Sequence, residues 1–450
     1  MKKSKKTDII NEKVSKVLVQ LTLPMILGIL GLVAFNLADT YFIGKLGTLQ
    51  LAALSFTFPI VLIFGSINQG IGIGASVVIS KAVGMQNHDD VKRHVTDSLL
   101  LGIVVSIVIV SIGLLTIEPL FSLLGADGSV MPIIKGYMSI WYLGAPFVVI
   151  PMIGNNAIRA LGDTKTPGIV MLVAALGNII LDPILIFGVG AIAGMGVQGA
   201  ALATVFSRFI TFCVAVYVLV FREKVVSFKN IRIKDILQSW KNILFVGLPN
   251  ALAKSILPLG NSIITGLIAT LGNTVVAGFG IATRVEFFFL AVLNALASIT
   301  PIYVGQNFGA GKISRIKEGV AKAKNFSLLY GAGIYAILFF LARPLASIFT
   351  DSPDVMDVVV TYLRIIPLGY GFFGLLNILN GAYNALQKPI KASTMNVLQV
   401  FAFYVPLATI AIKFWGDAGI FASAAVSYII VGLIFWFWWK NDIEKVMTHV

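Results

Sequence analysis

Residues 17–44 read VLVQLTLPMILGILGLVAFNLADTYFIG, and the run carries one charged side chain, Asp39. A helix crosses a hydrocarbon core in about 20 apolar residues, so this stretch is long enough to span a bilayer. It is too long for the ~7–15-residue apolar core of a signal peptide. No small-residue cleavage site follows it, so a retained first span is expected. Pro24 falls in its inner part, where a proline removes one backbone hydrogen bond and permits a bend. Asn36 precedes Asp39 by three residues. A charge inside lipid is costly and marks a functional candidate.

Similar runs recur along the chain, at roughly 50–80, 96–117, 133–158, 167–190, 198–221, 243–271, 275–305, 325–342, 358–384, 392–414 and 418–439. The expected fold class is an all-α polytopic membrane protein with about twelve transmembrane helices. Composition agrees: 58% of the 450 residues are hydrophobic, 12% are charged, and mean hydropathy is +0.93. A soluble domain carries about 25% charged residues. A disordered chain, a coiled coil and a disulfide scaffold are excluded. Cys213 is the one cysteine, so neither an internal disulfide nor a cysteine zinc site can form. Its apolar setting predicts a small buried hydrophobe. His88, His94 and His449 all sit in polar stretches, and no HExxH, GxxxxGK[ST] or GxSxG motif is present. No enzyme, cofactor or resident metal is expected.

The net charge of +14 is a matter of topology rather than nucleic-acid binding. With the tail before the first run in the cytoplasm, alternating segments on that side hold 26 of the 34 Lys and Arg residues. The outer segments hold only Lys45, Lys135, Arg343 and Lys413. This is the positive-inside pattern, and it predicts both termini in the cytoplasm of a cell-membrane protein, with anionic lipid as a contact. The expected organisation is a basic tail (1–16), an N-terminal six-helix lobe (17–221), a basic linker (222–242), a C-terminal six-helix lobe (243–440) and a short tail (441–450).

The two halves resemble each other at an offset of 225 residues. Pro24 matches Pro249, and Asn36 matches Asn261. Gly84, Lys92 and Val95 match Gly309, Lys317 and Val320, and Tyr137 matches Tyr362. Asn155, Ala157, Ala160 and Leu161 match Asn380, Ala382, Ala385 and Leu386. A two-residue deletion then aligns Pro183 with Pro406. Six spans per half is an even number, so the repeat is parallel, with its pseudo-two-fold axis along the membrane normal. Such a duplication suits a carrier that works as a monomer better than a channel.

The clear intramembrane acids are Asp39, Asp182 and Glu286. Asp39 and Asp182 lie at depths that differ by about 5 Å, at ~1.5 Å rise per residue. Their repeat partners are Ile264 and Val405, so the fold accepts an apolar residue at both places. Packing therefore does not explain them. Two carboxylates in a dry pocket can take up a proton or give oxygens to a monovalent cation. Asn178 lies one turn before Asp182 and aligns with Phe401. Asn178, Asn36 and Tyr137 are candidate companions, and a sodium ion would sit among Asp39, Asn178 and Asp182. The matches to Asn261 and Tyr362 argue equally for fold roles of Asn36 and Tyr137, as Pro249 does for the hinge candidate Pro24. In the second half Lys254 and Glu286 lie at similar depth, and a structural ion pair between them is the leading expectation, with gating or substrate contact as the alternative. Arg208, Arg284 and Arg364 also fall within spans.

Four stretches resemble the multidrug and toxic compound extrusion (MATE) family: Asn36–Gly47, Gly177–Pro183, Arg159–Pro167 and Gly305–Gly311. The resemblance covers nearly the whole chain. It implies a V-shaped pair of six-helix bundles that exports cationic, amphipathic drugs in exchange for protons or sodium. The acids in the first half, with Lys254 and Arg364 where another branch carries acids, look like the bacterial and archaeal branch related to DNA-damage-inducible protein F. In that branch a proline matching Pro24 is implied to bend helix 1. Arg159 and Asp163 match a loop motif that reads as a brace. The rival within the superfamily is a flippase for lipid-linked sugars, kept open by Lys254, Arg284 and Arg364. The rival from another class is a channel or structural membrane protein, which would ignore an ion gradient.

Overall fold

The computed structural model describes residues 7–190, 192–228 and 232–448. Lys2, Lys3, Lys5 and Lys6 of the basic tail, Lys229 of the linker, and His449 lie outside them. The described chain is almost wholly helical. In lipid each backbone donor and acceptor must find its partner within the segment, which a helix achieves. The helices are α1 (Val14–Gly44), α2 (Thr48–Gly84), α3 (His88–Leu123), α4 (Met131–Leu143), α5 (Ala145–Ala160), α6 (Lys165–Phe187) and α7 (Val197–Val216). They continue as α8 (Ile233–Ala269), α9 (Asn273–Gly309), α10 (Ile313–Ser347), α11 (Pro353–Ile365), α12 (Tyr370–Ala385), α13 (Pro389–Val397) and α14 (Val405–Thr448). A two-residue antiparallel hairpin, Gly188–Val189 with Ile192–Ala193, joins α6 to α7.

Among the described residues ten helical segments are long and apolar enough to cross a membrane, and α4 with α5 makes one more, bent by 43°. The last segment, Pro389–Val446, runs to 58 residues, enough for two crossings at about 20 residues each. It breaks at Gly416, whose φ of 57° lies in the left-handed region. A residue without Cβ adopts that conformation at no steric cost. The break falls between the apolar runs at 392–414 and 418–439, and it brings the number of crossings to the expected twelve.

The chain forms two compact units. One comprises Leu23–Ala251. Its core gathers Phe121, Met138, Trp141 and Tyr142, with Phe64 packed edge-on to Tyr142 at 5.8 Å. At one end of this unit Asp163 accepts hydrogen bonds from the Thr166 N–H at 3.0 Å, the Thr166 hydroxyl at 2.6 Å and the Arg222 guanidinium. This ties the loop before α6 to the turn after α7. Arg159 donates to Asn156 within its own helix at 2.6 Å. The first part of α8 docks on α3: Trp240 donates to the Asp97 carbonyl at 2.8 Å, and His94 Nδ1 lies 3.2 Å from the Ser239 hydroxyl. Cys213, expected to be buried, is exposed. It lies on the same outward stripe of α7 as Phe206, Phe209 and Ile210, where an apolar face meets lipid and a small thiol needs no partner.

The second unit comprises Asp8–Thr22 and Leu252–Val450. Phe279, Tyr362 and Phe421 form an aromatic cluster in its core. The turn before α1 is held by the start of α10. Arg315 donates to the carbonyls of Ile9 at 3.0 Å and Glu12 at 2.7 Å, and Lys312 donates to Asn11 Oδ1 at 2.9 Å. Asn11 donates back to Asp8, and that hydrogen bond holds the Asp8 carboxyl below its usual range. Helices α1 and α8, repeat partners, are thus each shared: the first part of each belongs to one unit and the rest to the other. The changeovers, at Thr22–Leu23 and Ala251–Leu252, lie within two residues of Pro24 and Pro249.

Asp163 is 1% and Arg222 12% exposed. Removing one member of so buried a pair costs about 3–5 kcal/mol. Asp163→Ala is therefore expected to lower the apparent Tm in detergent by several degrees, read by intrinsic fluorescence. A Tm equal to that of the wild type would show that the loop is held by other means.

Candidate functional site

Beyond Lys165 and Thr166 at its start, helix α6 is apolar except for Asn178 and Asp182. Their four-residue spacing puts both on one face, and that face turns inward: Asn178 is 1% and Asp182 0% exposed. With its amide nitrogen toward the carboxylate, the orientation that satisfies both ends, Asn178 donates to Asp182 Oδ2 at 2.8 Å and accepts from the Thr204 N–H at 3.2 Å. Pro183 follows directly. It has no N–H, which frees the carbonyl one turn earlier. Asp39 comes from α1 and is half-buried. Tyr137, on α4, is an electrostatic neighbour of both carboxylates, and the two carboxylates are neighbours of each other.

Asp39, Asp182, Asn178 and Tyr137 are thus brought together from three helices. Asn36 is not. Its side chain is exposed, and its backbone carbonyl accepts from the Thr40 hydroxyl at 2.8 Å. Among the described residues no ion pair reaches either carboxylate. Nor do any three His, Cys, Asp or Glu side chains there converge to hold a metal.

Thr204 has no signal of its own in the sequence. The repeat reveals it in retrospect: its counterpart is Ser427, whose hydroxyl accepts from Gln399 at 2.8 Å. A polar cross-link at this level is therefore a feature of both halves. The carboxylates are the addition made in the first half.

Pro24 lies where α1 approaches α6 closely. A Cβ on Gly168 would come within 2.3 Å of the Pro24 carbonyl oxygen, and one on Gly28 within 3.0 Å of the Gly168 oxygen. The two backbones touch because neither glycine has a side chain. Sequence reading found the proline but not the glycine it rests on.

In the second unit Glu286 does not pair with Lys254, contrary to the expected ion pair. The Tyr362 hydroxyl donates to Glu286 Oε2 at 2.6 Å. Tyr370, Tyr404 and Tyr428 are its further electrostatic neighbours, and the Tyr370 hydroxyl is buried without a hydrogen-bond partner. The Tyr362 phenol solvates the carboxylate more cheaply than a buried ammonium, which would need desolvation too. Tyr362 is the repeat partner of Tyr137, so the same position serves the acid of each half. Lys254 is half-buried on α8 with no hydrogen bond or ion pair among the described residues. Arg364 donates to the Phe339 carbonyl at 3.2 Å and lies over that ring. Arg284 is exposed.

The family model MatE matches residues 24–184 and again 249–410. This chain belongs to the MATE transporter family. The two matched segments reproduce the duplication. The chain is 36% identical over 425 residues to the FAD transporter of Shewanella oneidensis, covering 94% of each. It is 26% identical to the multidrug export protein MepA of Staphylococcus aureus, covering 92% of this chain and 91% of that one. Among solved structures it resembles the Vibrio cholerae MATE transporter VcmN in the bent form, with a TM-score of 0.89 at 32% identity, covering 96% and 97% of the two chains. Members of the family are transporters, and small molecules are their substrates.

Two outcomes check the geometry. Tyr362→Phe removes a donor from a buried carboxylate, at a cost of about 1–3 kcal/mol, whereas Glu286→Gln keeps an acceptor for Tyr362. Thermal denaturation is expected to rank Tyr362→Phe below Glu286→Gln in stability. Gly168→Ala forces α1 away from α6, and a nitroxide pair across these helices is expected to report a wider separation; an unchanged distance would refute the contact.

Proposed function

We propose that this chain is a secondary efflux antiporter of the cell membrane. It acts as a monomer with both termini in the cytoplasm, and proton entry to Asp39 and Asp182 drives export of amphipathic, cationic compounds. One observation carries the reading. Two carboxylates meet in an apolar helical unit without a cationic partner, at positions whose repeat counterparts are Ile264 and Val405. A carboxylate so placed is stable only when it takes up a positive charge, and a gradient across the membrane supplies one.

Two features favour the proton over sodium. Sodium needs several oxygen ligands, but Asn178 turns its N–H toward Asp182 and its oxygen toward Thr204. Asn36, the other amide candidate, is exposed. Charge neutralisation at Asp39 would act on α1, whose bend point at Pro24 is pressed against Gly168. VcmN, similar over nearly its whole length, has been crystallised in a bent form. Glu286 and its tyrosines would then adjust the second unit without being the coupling site.

A second reading concerns the cargo. The 36% identity to an FAD transporter, over 94% of both chains, favours flavin nucleotides as substrates alongside cationic drugs.

The test is transport of ethidium in proteoliposomes with separately imposed proton and sodium gradients. A proton gradient alone is expected to drive transport, and Asp39→Asn and Asp182→Asn are each expected to lower it at least about tenfold, a loss of ~1.4 kcal/mol or more in coupling. Full gradient-dependent transport in either variant would sink the mechanism. Drive by sodium alone would reassign the ion.

A further inference from the structure

Arg208 sits eleven residues into α7 and fourteen before Arg222, where the following helical turn ends. At ~1.5 Å per residue its Cα is more than 15 Å from either end of the helical segment, too deep for its side chain to reach lipid headgroups. It is half-buried, and among the described residues it makes no hydrogen bond and no ion pair. Its repeat counterpart is Val431, which is buried in the second half. The fold therefore does not need a cation here. An intramembrane arginine without a protein partner is a functional site by default.

Its surroundings say what it would hold. Thr204 lies one turn away on the same flank of α7, and its backbone N–H donates to Asn178 of the Asn178–Asp182 pair. One turn further, on the same flank, Phe212 packs with Phe147 at 5.5 Å and with Phe209 at 6.4 Å. Phe209 belongs to the lipid-facing stripe, whereas Phe147 and Phe212 are half-buried and lie on the Arg208 side of the cluster. A guanidinium presents a planar fork of N–H donors that matches phosphate or carboxylate. Phenyl faces accept a flat ring system. We propose that Arg208, with the Phe147–Phe209–Phe212 cluster, is a recognition subsite for the oxyanion of an aromatic substrate, such as a ring compound bearing a phosphate. The subsite lies about 6 Å, one helical turn, from the coupling network. The proposal rests on the efflux reading and gives its flavin-nucleotide cargo a binding site.

FMN and riboflavin carry the same ring and differ by one phosphate, so they isolate the oxyanion. Binding to the detergent-purified full chain is followed by flavin fluorescence polarisation, and transport by the same flavins in proteoliposomes. The wild type is expected to prefer FMN to riboflavin at least tenfold. Arg208→Gln is expected to abolish that ratio, and Arg208→Lys, which keeps the charge without the fork, to restore part of it. Equal affinity for the two flavins in the wild type would overturn the proposal. So would an FMN preference that survives Arg208→Gln, or a parallel loss of both flavins. Displacement of FMN by phosphatidylglycerol at equimolar lipid would assign the guanidinium to a lipid phosphate instead, and would also overturn it. Ethidium transport, run in parallel, reads the efflux mechanism separately. If ethidium moves and FMN does not bind, only this inference fails. If FMN binds preferentially and ethidium does not move, only the cationic-efflux reading fails.

Discussion

A carboxylate surrounded by helices and lipid has few ways to exist. It can pair with a cation, be solvated by hydroxyl groups, or take up an ion from outside. The three intramembrane acids of this chain divide among these ways. Glu286 is solvated by tyrosine, beginning with the 2.6 Å bond from Tyr362. Asp39 and Asp182 have each other, Tyr137 and one amide, and no cation among the described residues. On the proposed reading that constraint would make the first unit responsive to a proton, and the hinge and substrate arguments depend on it.

The response has a path through the backbone. Helix α1 carries Asp39 and Pro24, and Pro24 meets α6 at Gly168, three residues into the helix that carries Asn178 and Asp182. The two helices that supply the acids are thus in contact at a second point, where one lacks a hydrogen bond and the other lacks a side chain. The changeover of α1 between compact units lies beside that same proline. On the proposed reading, a change of charge at Asp39 would act on a bend at Pro24 through this contact.

Much of this was legible in the sequence. Twelve apolar runs, the 225-residue offset and the isolated acids required only hydropathy and self-comparison. The one apparent shortfall, ten long helical segments, disappears at the Gly144 bend and the Gly416 break. Partnerships between side chains were harder to read. Lys254 and Glu286 lie at the same depth, but depth does not specify azimuth, and the tyrosines reached Glu286 first. Asn36 is three residues from Asp39, yet its side chain is exposed. Cys213 lies in an apolar run, but on the face that lipid covers rather than the face the protein covers. Gly168 and Thr204 give no signal alone, because a missing Cβ or a backbone N–H acquires meaning only from what stands opposite.

The most direct test of the central claim is a pH titration of the carboxyl C=O stretch by difference infrared spectroscopy, with bands assigned through Asp39→Asn and Asp182→Asn. Two carboxylates that share one pocket titrate as a pair, with midpoints that belong to both. The expected result is a two-step titration in the wild type, and a remaining band whose midpoint moves in each variant. Independent bands with unmoved midpoints would contradict a shared site.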